Sequence, residues 1–148
     1  MMRRLFYDLI ASMGYAVDNS TMPKVIWGSK PEDHDYPAAQ SYLSLLADGD
    51  EITRIMEELQ GADIELIKAK DVIRASGLPL LSPSNFHVKR DLKKITDKKT
   101  LSPILLIRGD GADFLALTIA DGYHRACAVY WNSEDDFIHA KIASWSRY

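Results

Sequence analysis

Ile119-Ala120-Asp121-Gly122-Tyr123-His124-Arg125 reads as a junction at which an apolar strand runs into a turn and a helix starts at once. Phe114 to Ala120 is an apolar run of strand length, Asp121-Gly122 breaks it, and Tyr123 to Trp131 reads as a helix. The first turn of a helix leaves backbone N–H groups without partners, and the aligned peptide dipoles make that end positive. Gly122 removes a side chain from the approach to those donors. His124 and Arg125 then place an imidazole and a forked guanidinium in the first turn. Cations there oppose the dipole by about 0.3–1 kcal/mol each at exposed positions, and a bound anion reverses that penalty. The junction is therefore expected to bind phosphate or carboxylate. A second reading stays open, with Asp121 as a plain N-cap, Arg125 paired with an acidic neighbour and His124 a satisfied core residue.

Outward from the junction, Pro103 leads into the strand Ile104-Leu105-Leu106-Ile107, Gly109-Asp110-Gly111 marks a turn, and Phe137 to Ile142 supplies a last strand. Upstream, Ile64, Leu66 and Ile67 suggest a short strand, and Ala69 to Ser76 a helix ended by Gly77. Leu78-Pro79-Leu80-Leu81 is extended. Ser84 or Asn85 caps a helix carrying Val88, Leu92 and Ile95 on one face, with Lys89, Arg90, Lys93 and Lys94 mostly on the others. Strand and helix alternate across residues 62–148, which predicts an α+β (α/β-like) domain: a small mixed sheet with flanking helices.

Residues 1–61 read as an N-terminal helical extension. Leu5, Phe6, Leu9, Ile10 and Met13 recur at helical spacing before Gly14, as expected of an amphipathic helix docked on the main domain. Trp27 to Tyr36 is a polar loop, and Glu32, Asp33, His34 and Asp35 within it are metal-capable but read as a solvated loop rather than a metal site. Pro37 suits the first position of a helix capped by Asp35, whose buried stripe is expected to be Tyr42, Leu45 and Leu46. After Asp48-Gly49-Asp50, a second helix carries Ile52, Ile55, Met56 and Leu59 and closes at Gly61.

Composition bounds the function classes. A chain of 148 residues, 47% apolar and 26% charged, can bury a real core. A net charge of −3 argues against broad nucleic-acid binding, and no apolar run reaches the length of a membrane span. The lone cysteine, Cys127, permits no internal disulfide and suits a reducing, cytoplasmic setting. Asp8 interrupts the apolar start, so a signal peptide is not expected.

Several motifs fall in a familiar order: Leu78-Pro79 followed by Ser82-Pro83, the Val88–Leu92–Ile95 helix, Leu101-Ser102-Pro103-Ile104, and the D-G-Y-H-R turn at Asp121–Arg125. From about residue 62 onward the chain resembles the superfamily of the partition protein ParB and sulfiredoxin. In sulfiredoxins the corresponding turn is G-G-C-H-R and binds nucleotide phosphates; in ParB-type domains a G-E-R-R-like turn binds CTP. Free serine kinases of the superfamily use a D-G-x-x-R type turn, the form most like this one. The resemblance implies ATP or CTP with Mg²⁺ as the ligand. Asp121, Gly122, Tyr123, His124 and Arg125 would bind it with His87 and Lys89, and His124 and Arg125 are the catalytic candidates. Tyr123 stands where sulfiredoxin has its cysteine, so sulfinic-acid reduction by that route is not expected. Cys127 reads as a small core residue, and ParB's helix-turn-helix is not found after the nucleotide domain, so DNA binding by this chain alone is not expected. The implied function is binding of a nucleotide or phosphorylated small molecule, with kinase or hydrolase activity and a non-catalytic sensing or interaction role both open. The general base (Asp71 or Glu65 being nearest) and a homodimer are left open too.

Overall fold

A computed structural model of the chain describes residues 22–146. The strands are β1 (Ile26–Trp27), β2 (Glu65–Lys68), β3 (Thr100–Leu101), β4 (Ile104–Arg108), β5 (Thr118–Asp121) and β6 (Phe137–Ser144). The helices are α1 (Asp35–Leu43), α2 (Gly49–Gly61), α3 (Ala69–Ser76), α4 (Phe86–Thr96) and α5 (Tyr123–Asn132). The class is α+β, as the alternation of elements predicts. The amphipathic stretch Leu5–Met13 lies outside the described residues.

The unbroken apolar run at Ile104–Ile107 has a structural cause. β4 lies inside a four-stranded mixed sheet of order β2-β6-β4-β5, parallel to β6 and antiparallel to β5. Its side chains alternate between two cores, so both parities must be apolar. Ile104 and Leu106 pack with Val72, Val88, Leu92, Ala126 and Val129 of α3, α4 and α5. Leu105 and Ile107 pack with Ala39 and Leu43 of α1 and Ile52, Ile55 and Leu59 of α2. The helices of residues 35–61 thus form the layer on the sheet's second face. β1 and β3 pair in parallel beside the sheet.

Local chemistry sets the helix ends. Asp48 caps α2 by accepting from the Glu51 N–H, Asn85 caps α4 by accepting from the His87 and Val88 N–H groups, and Gly77 ends α3 at a φ of 66°.

Two expectations are corrected. Tyr42, Leu45 and Leu46 are not the buried stripe of α1; they are 46%, 82% and 51% exposed. The helix begins at Asp35 and ends at Leu43, so its inward face is Asp35, Ala39 and Leu43, and Leu45 and Leu46 leave in the turn that follows. The strand expected over Phe114–Ala120 begins only at Thr118. Asp110 and Leu115 exchange two backbone hydrogen bonds of 2.9 and 2.8 Å, which folds the first part of that apolar run into a tight loop. Gly109 makes the loop possible, because a Cβ there would lie 2.3 Å from the Leu115 carbonyl oxygen.

Candidate functional site

The β5–α5 junction forms where the sequence places it. Asp121 ends β5, Gly122 stands at the N-cap with a φ of 107°, and Tyr123 begins α5. The role of Gly122 differs from the sequence reading. A Cβ there would lie 2.4 Å from Ile104 Cγ2 and 3.0 Å from Arg125 Nη2, so the glycine makes room for the core and for the arginine. The pairing of β4 with β5 shifts register between Leu105 and Leu106, and Asp121 comes to sit opposite Leu105. Leu105 belongs to the second-face core, so the irregularity turns Asp121 toward α1.

There Asp121 meets Arg125 and Asp35. Arg125 Nη2 donates to Asp121 Oδ2 at 2.6 Å, and its Nη1 lies 3.5 Å from Asp35 Oδ2. Nη1 also donates to the Ser102 carbonyl at 2.9 Å and to the Ser102 hydroxyl. With its side chain 13% exposed, the guanidinium is braced on three groups of this chain. The misplaced cation noted in the sequence therefore finds internal anions.

The carboxyls divide in protonation behaviour. Burial opposes ionisation of Asp35, but Arg125, Ser102 and the Glu32 N–H outweigh it and hold the carboxyl below its ordinary value. Burial pushes Asp121 up to about 6, against the pull of Arg125, and the neighbouring Asp35 adds to the rise. Asp91 of α4, also buried, is raised by burial despite Lys94, Arg125 and Arg90 nearby. This is a site whose carboxyls are pushed apart in proton affinity.

These groups line a polar cavity of about 220 Å³ with Glu32, His34, Arg90, Lys94 and His124. Among the described residues no side chain caps α5, so its first N–H groups stay available at Gly122. His124 is half-buried, and burial together with His87 lowers its imidazole below the ordinary value, so it is neutral at pH 7. The His87 ring lies 4.7 Å from His124, Phe86 packs edge-on to His87 at 5.3 Å, and Tyr123 lies 5.8 Å from His124. An aromatic row thus runs beside the cavity to Phe86, which is 73% exposed. The Tyr123 hydroxyl donates to the Pro79 carbonyl.

Of the residues singled out in the sequence, Asp121, Gly122, His124 and Arg125 line the cavity, while Tyr123 and His87 adjoin it through the aromatic row. Lys89 is exposed on α4 and does not line it; Arg90 and Lys94 do. Asp71 pairs with Arg74 at 3.2 Å, and neither it nor Glu65 lines the cavity. Cys127 is fully buried and burial raises its thiol, so it is unsuited to be a nucleophile. The sequence offers Asp35 only as a helix cap and a metal-capable loop residue, Ser102 only within the Leu101–Ile104 motif, and Asp91 not at all; in the structure Asp35 is the first residue of α1 rather than its cap.

Glu32, His34 and Asp35 offer ligand atoms within 4.8 Å of one another. His34 Nε2 lies 3.1 Å from Glu32 Oε2 and 3.5 Å from Asp35 Oδ1. Those contacts serve equally as ion pairs of a protonated imidazole. No family model, curated protein or solved structure matches this chain. Among the described residues no helix is long and apolar enough to cross a membrane.

Proposed function

We propose that the cavity at the Asp121–Arg125 turn binds the phosphate end of a nucleotide, ATP or CTP with Mg²⁺, or of another phosphorylated small molecule. The observation that carries this reading is the uncapped N-terminus of α5 facing Arg90, Lys94 and His124 across one polar cavity. Backbone N–H groups of the first turn donate to phosphoryl oxygens, and Arg90 and Lys94 offset their charge. Arg125 acts as a brace rather than a clamp, because both its terminal nitrogens already hold Asp121, Asp35 and Ser102.

Size supports a phosphate end rather than a whole enclosed nucleotide. The cavity's 220 Å³ falls below the ~300–1,000 Å³ of clefts that enclose drug-sized ligands. The base would lie outside, and the row His124, His87, Phe86 offers it aromatic faces. Of the cluster Glu32, His34 and Asp35, the two carboxylates and not the imidazole are the groups that would hold Mg²⁺, which when bound neutralises phosphate charge. Asp121, with its raised proton affinity, suits a proton acceptor from an attacking hydroxyl or water. The D-G-Y-H-R turn, with its resemblance to ParB/sulfiredoxin phosphate turns, agrees with this reading, and the single thiol suits a cytoplasmic setting.

A second reading, binding without turnover, is favoured by one observation: Arg125 is tied to Asp121, Asp35 and Ser102 and is not free to swing toward a transition state. A thermal-shift panel of ATP, CTP and inorganic phosphate with Mg²⁺ tests binding, since a ligand at 100 times its Kd adds about 2.7 kcal/mol. A product assay on each hit separates the two readings. No shift with any of the three compounds refutes both.

A further inference from the structure

We infer that the molecule taken by the polar cavity is a hydroxyl-bearing phosphate ester, a sugar or polyol phosphate, and that Asp91 of α4 accepts its hydroxyl. The inference rests on the phosphate reading above and narrows it. Asp91 stands on the buried face of α4 with Val88, Leu92 and Ile95, is only 4% exposed, and lines the cavity. A carboxyl set into an apolar helix face is costly unless hydrogen bonds reach it. Among the described residues no hydrogen bond or ion pair does; Lys94, Arg125, Arg90 and His124 act on it only across space.

The other carboxyls of the cavity are answered from within the chain. Arg125 holds Asp121 and Asp35, and His34 lies 3.1 Å from Glu32. Asp91 is also not among the residues whose ligand atoms converge within 4.8 Å, so a shared cation does not account for it. An ionised carboxylate only accepts hydrogen bonds, so the group that completes it must carry a donor. A phosphate dianion carries none, whereas a hydroxyl does. The cavity, at about 220 Å³, is small, which sets that hydroxyl close to the phosphate, on the carbons beside the ester. The charge of the lining agrees, with four carboxyls against three lysine and arginine side chains. That balance favours a monoester, with about two negative charges, over the more highly charged tail of a polyphosphate.

Calorimetric titration of the full chain at about pH 8 tests the inference, a pH that keeps Asp91 ionised even with the rise that burial gives it. The ligands are the phosphate esters of ribose and of glycerol, n-propyl phosphate, which lacks their hydroxyls, ATP and inorganic phosphate, all with Mg²⁺. The native chain should bind at least one of the two hydroxyl-bearing esters about tenfold or more tightly than propyl phosphate. Asp91→Leu, close in volume, should abolish that preference and bind propyl phosphate at least as tightly as the native chain, because a negative charge beside the phosphate is gone. Asp91→Asn keeps the shape and one acceptor oxygen, should show a reduced preference, and serves if the leucine variant does not fold by circular dichroism. No preference in the native chain, or the same preference in the folded variants, would overturn the inference and leave the phosphate reading standing. So would binding of ATP or inorganic phosphate without either hydroxyl-bearing ester. Equal weakening of every ligand in the variants would overturn it by making Asp91 a support of the cavity wall. Binding of none of the five by the native chain would overturn both readings.

Discussion

Arg125→Leu removes the cation held between Asp121 and Asp35. In the native chain it bonds Asp121 at 2.6 Å, lies 3.5 Å from Asp35 and donates to the Ser102 carbonyl at 2.9 Å. Both carboxyl side chains are largely withdrawn from water, at 19% and 5% exposure. Breaking a buried ion pair by deleting one partner costs about 3–5 kcal/mol, because the other partner keeps its desolvation penalty. With a urea m-value of about 2 kcal/mol/M, the unfolding midpoint falls by about 1.5–2.5 M near neutral pH. The pH dependence has a definite sign. Asp121 in the folded chain is already raised to about 6, and losing the guanidinium raises it further. A carboxyl with a raised folded pKa favours the fold below its unfolded value of about 4 and loses that contribution as pH climbs through the folded value. The penalty, variant minus native, is therefore smaller at about pH 5 than at about pH 8. Urea unfolding followed by tryptophan fluorescence at the two pH values measures it. Adding Asp121→Asn to the variant should restore about 1 kcal/mol or more. A loss below about 1 kcal/mol, equal at both pH values, would refute the account of Arg125 as a brace.

Three further outcomes follow from the same geometry. Gly122→Ala sets a Cβ against Ile104 at a φ of 107°, and should lower stability by about 1–3 kcal/mol in urea unfolding. Asn85→Ala removes the acceptor for the His87 and Val88 N–H groups and should cost about 1 kcal/mol by the same measurement, while loosening His87 in the aromatic row. Glu51 is held down to about 2 by hydrogen bonds from Arg54 and Ser146, so its contribution is present above about pH 4.5 and lost as pH falls toward 2. Glu51→Gln should flatten that part of an acid-unfolding curve followed by circular dichroism.

What the sequence reveals is local. Gly77 ends α3, Asn85 caps α4, and the break at Asp121-Gly122 starts α5, because each acts through neighbours within one turn. The run Ile104–Ile107 likewise announces a strand, while its burial on both faces emerges only from the packing of helices on each side of the sheet. The partners of Arg125 are not legible in this way. Asp35 and Ser102 reach it from α1 and the lead-in to β4, Asp91 of α4 lines the same cavity, and only tertiary packing brings them together. The direction of Asp121 depends on a register shift in the β4–β5 pairing, for which the sequence offers no marker. Tyr42, Leu45 and Leu46 mislead for a related reason: apolar spacing shows which residues share a face, not where the helix stops. Lys89 does not line the cavity whereas Arg90 and Lys94 do, because several cations share α4 and only the orientation of that helix on α5 decides which of them face it.

The most direct test of phosphate binding at the Asp121–Arg125 turn is calorimetric titration of ATP, CTP and inorganic phosphate, with Mg²⁺, into the native chain and an Arg90→Ala, Lys94→Ala variant. Arg90 is exposed and Lys94 half-buried, so the variant should stay folded and lose only the charge facing the cavity. The expected result is saturable binding of at least one ligand by the native chain and a loss of about tenfold or more in affinity in the variant. Equal affinity in the two proteins, or no binding of any ligand to the folded native chain, would contradict the assignment.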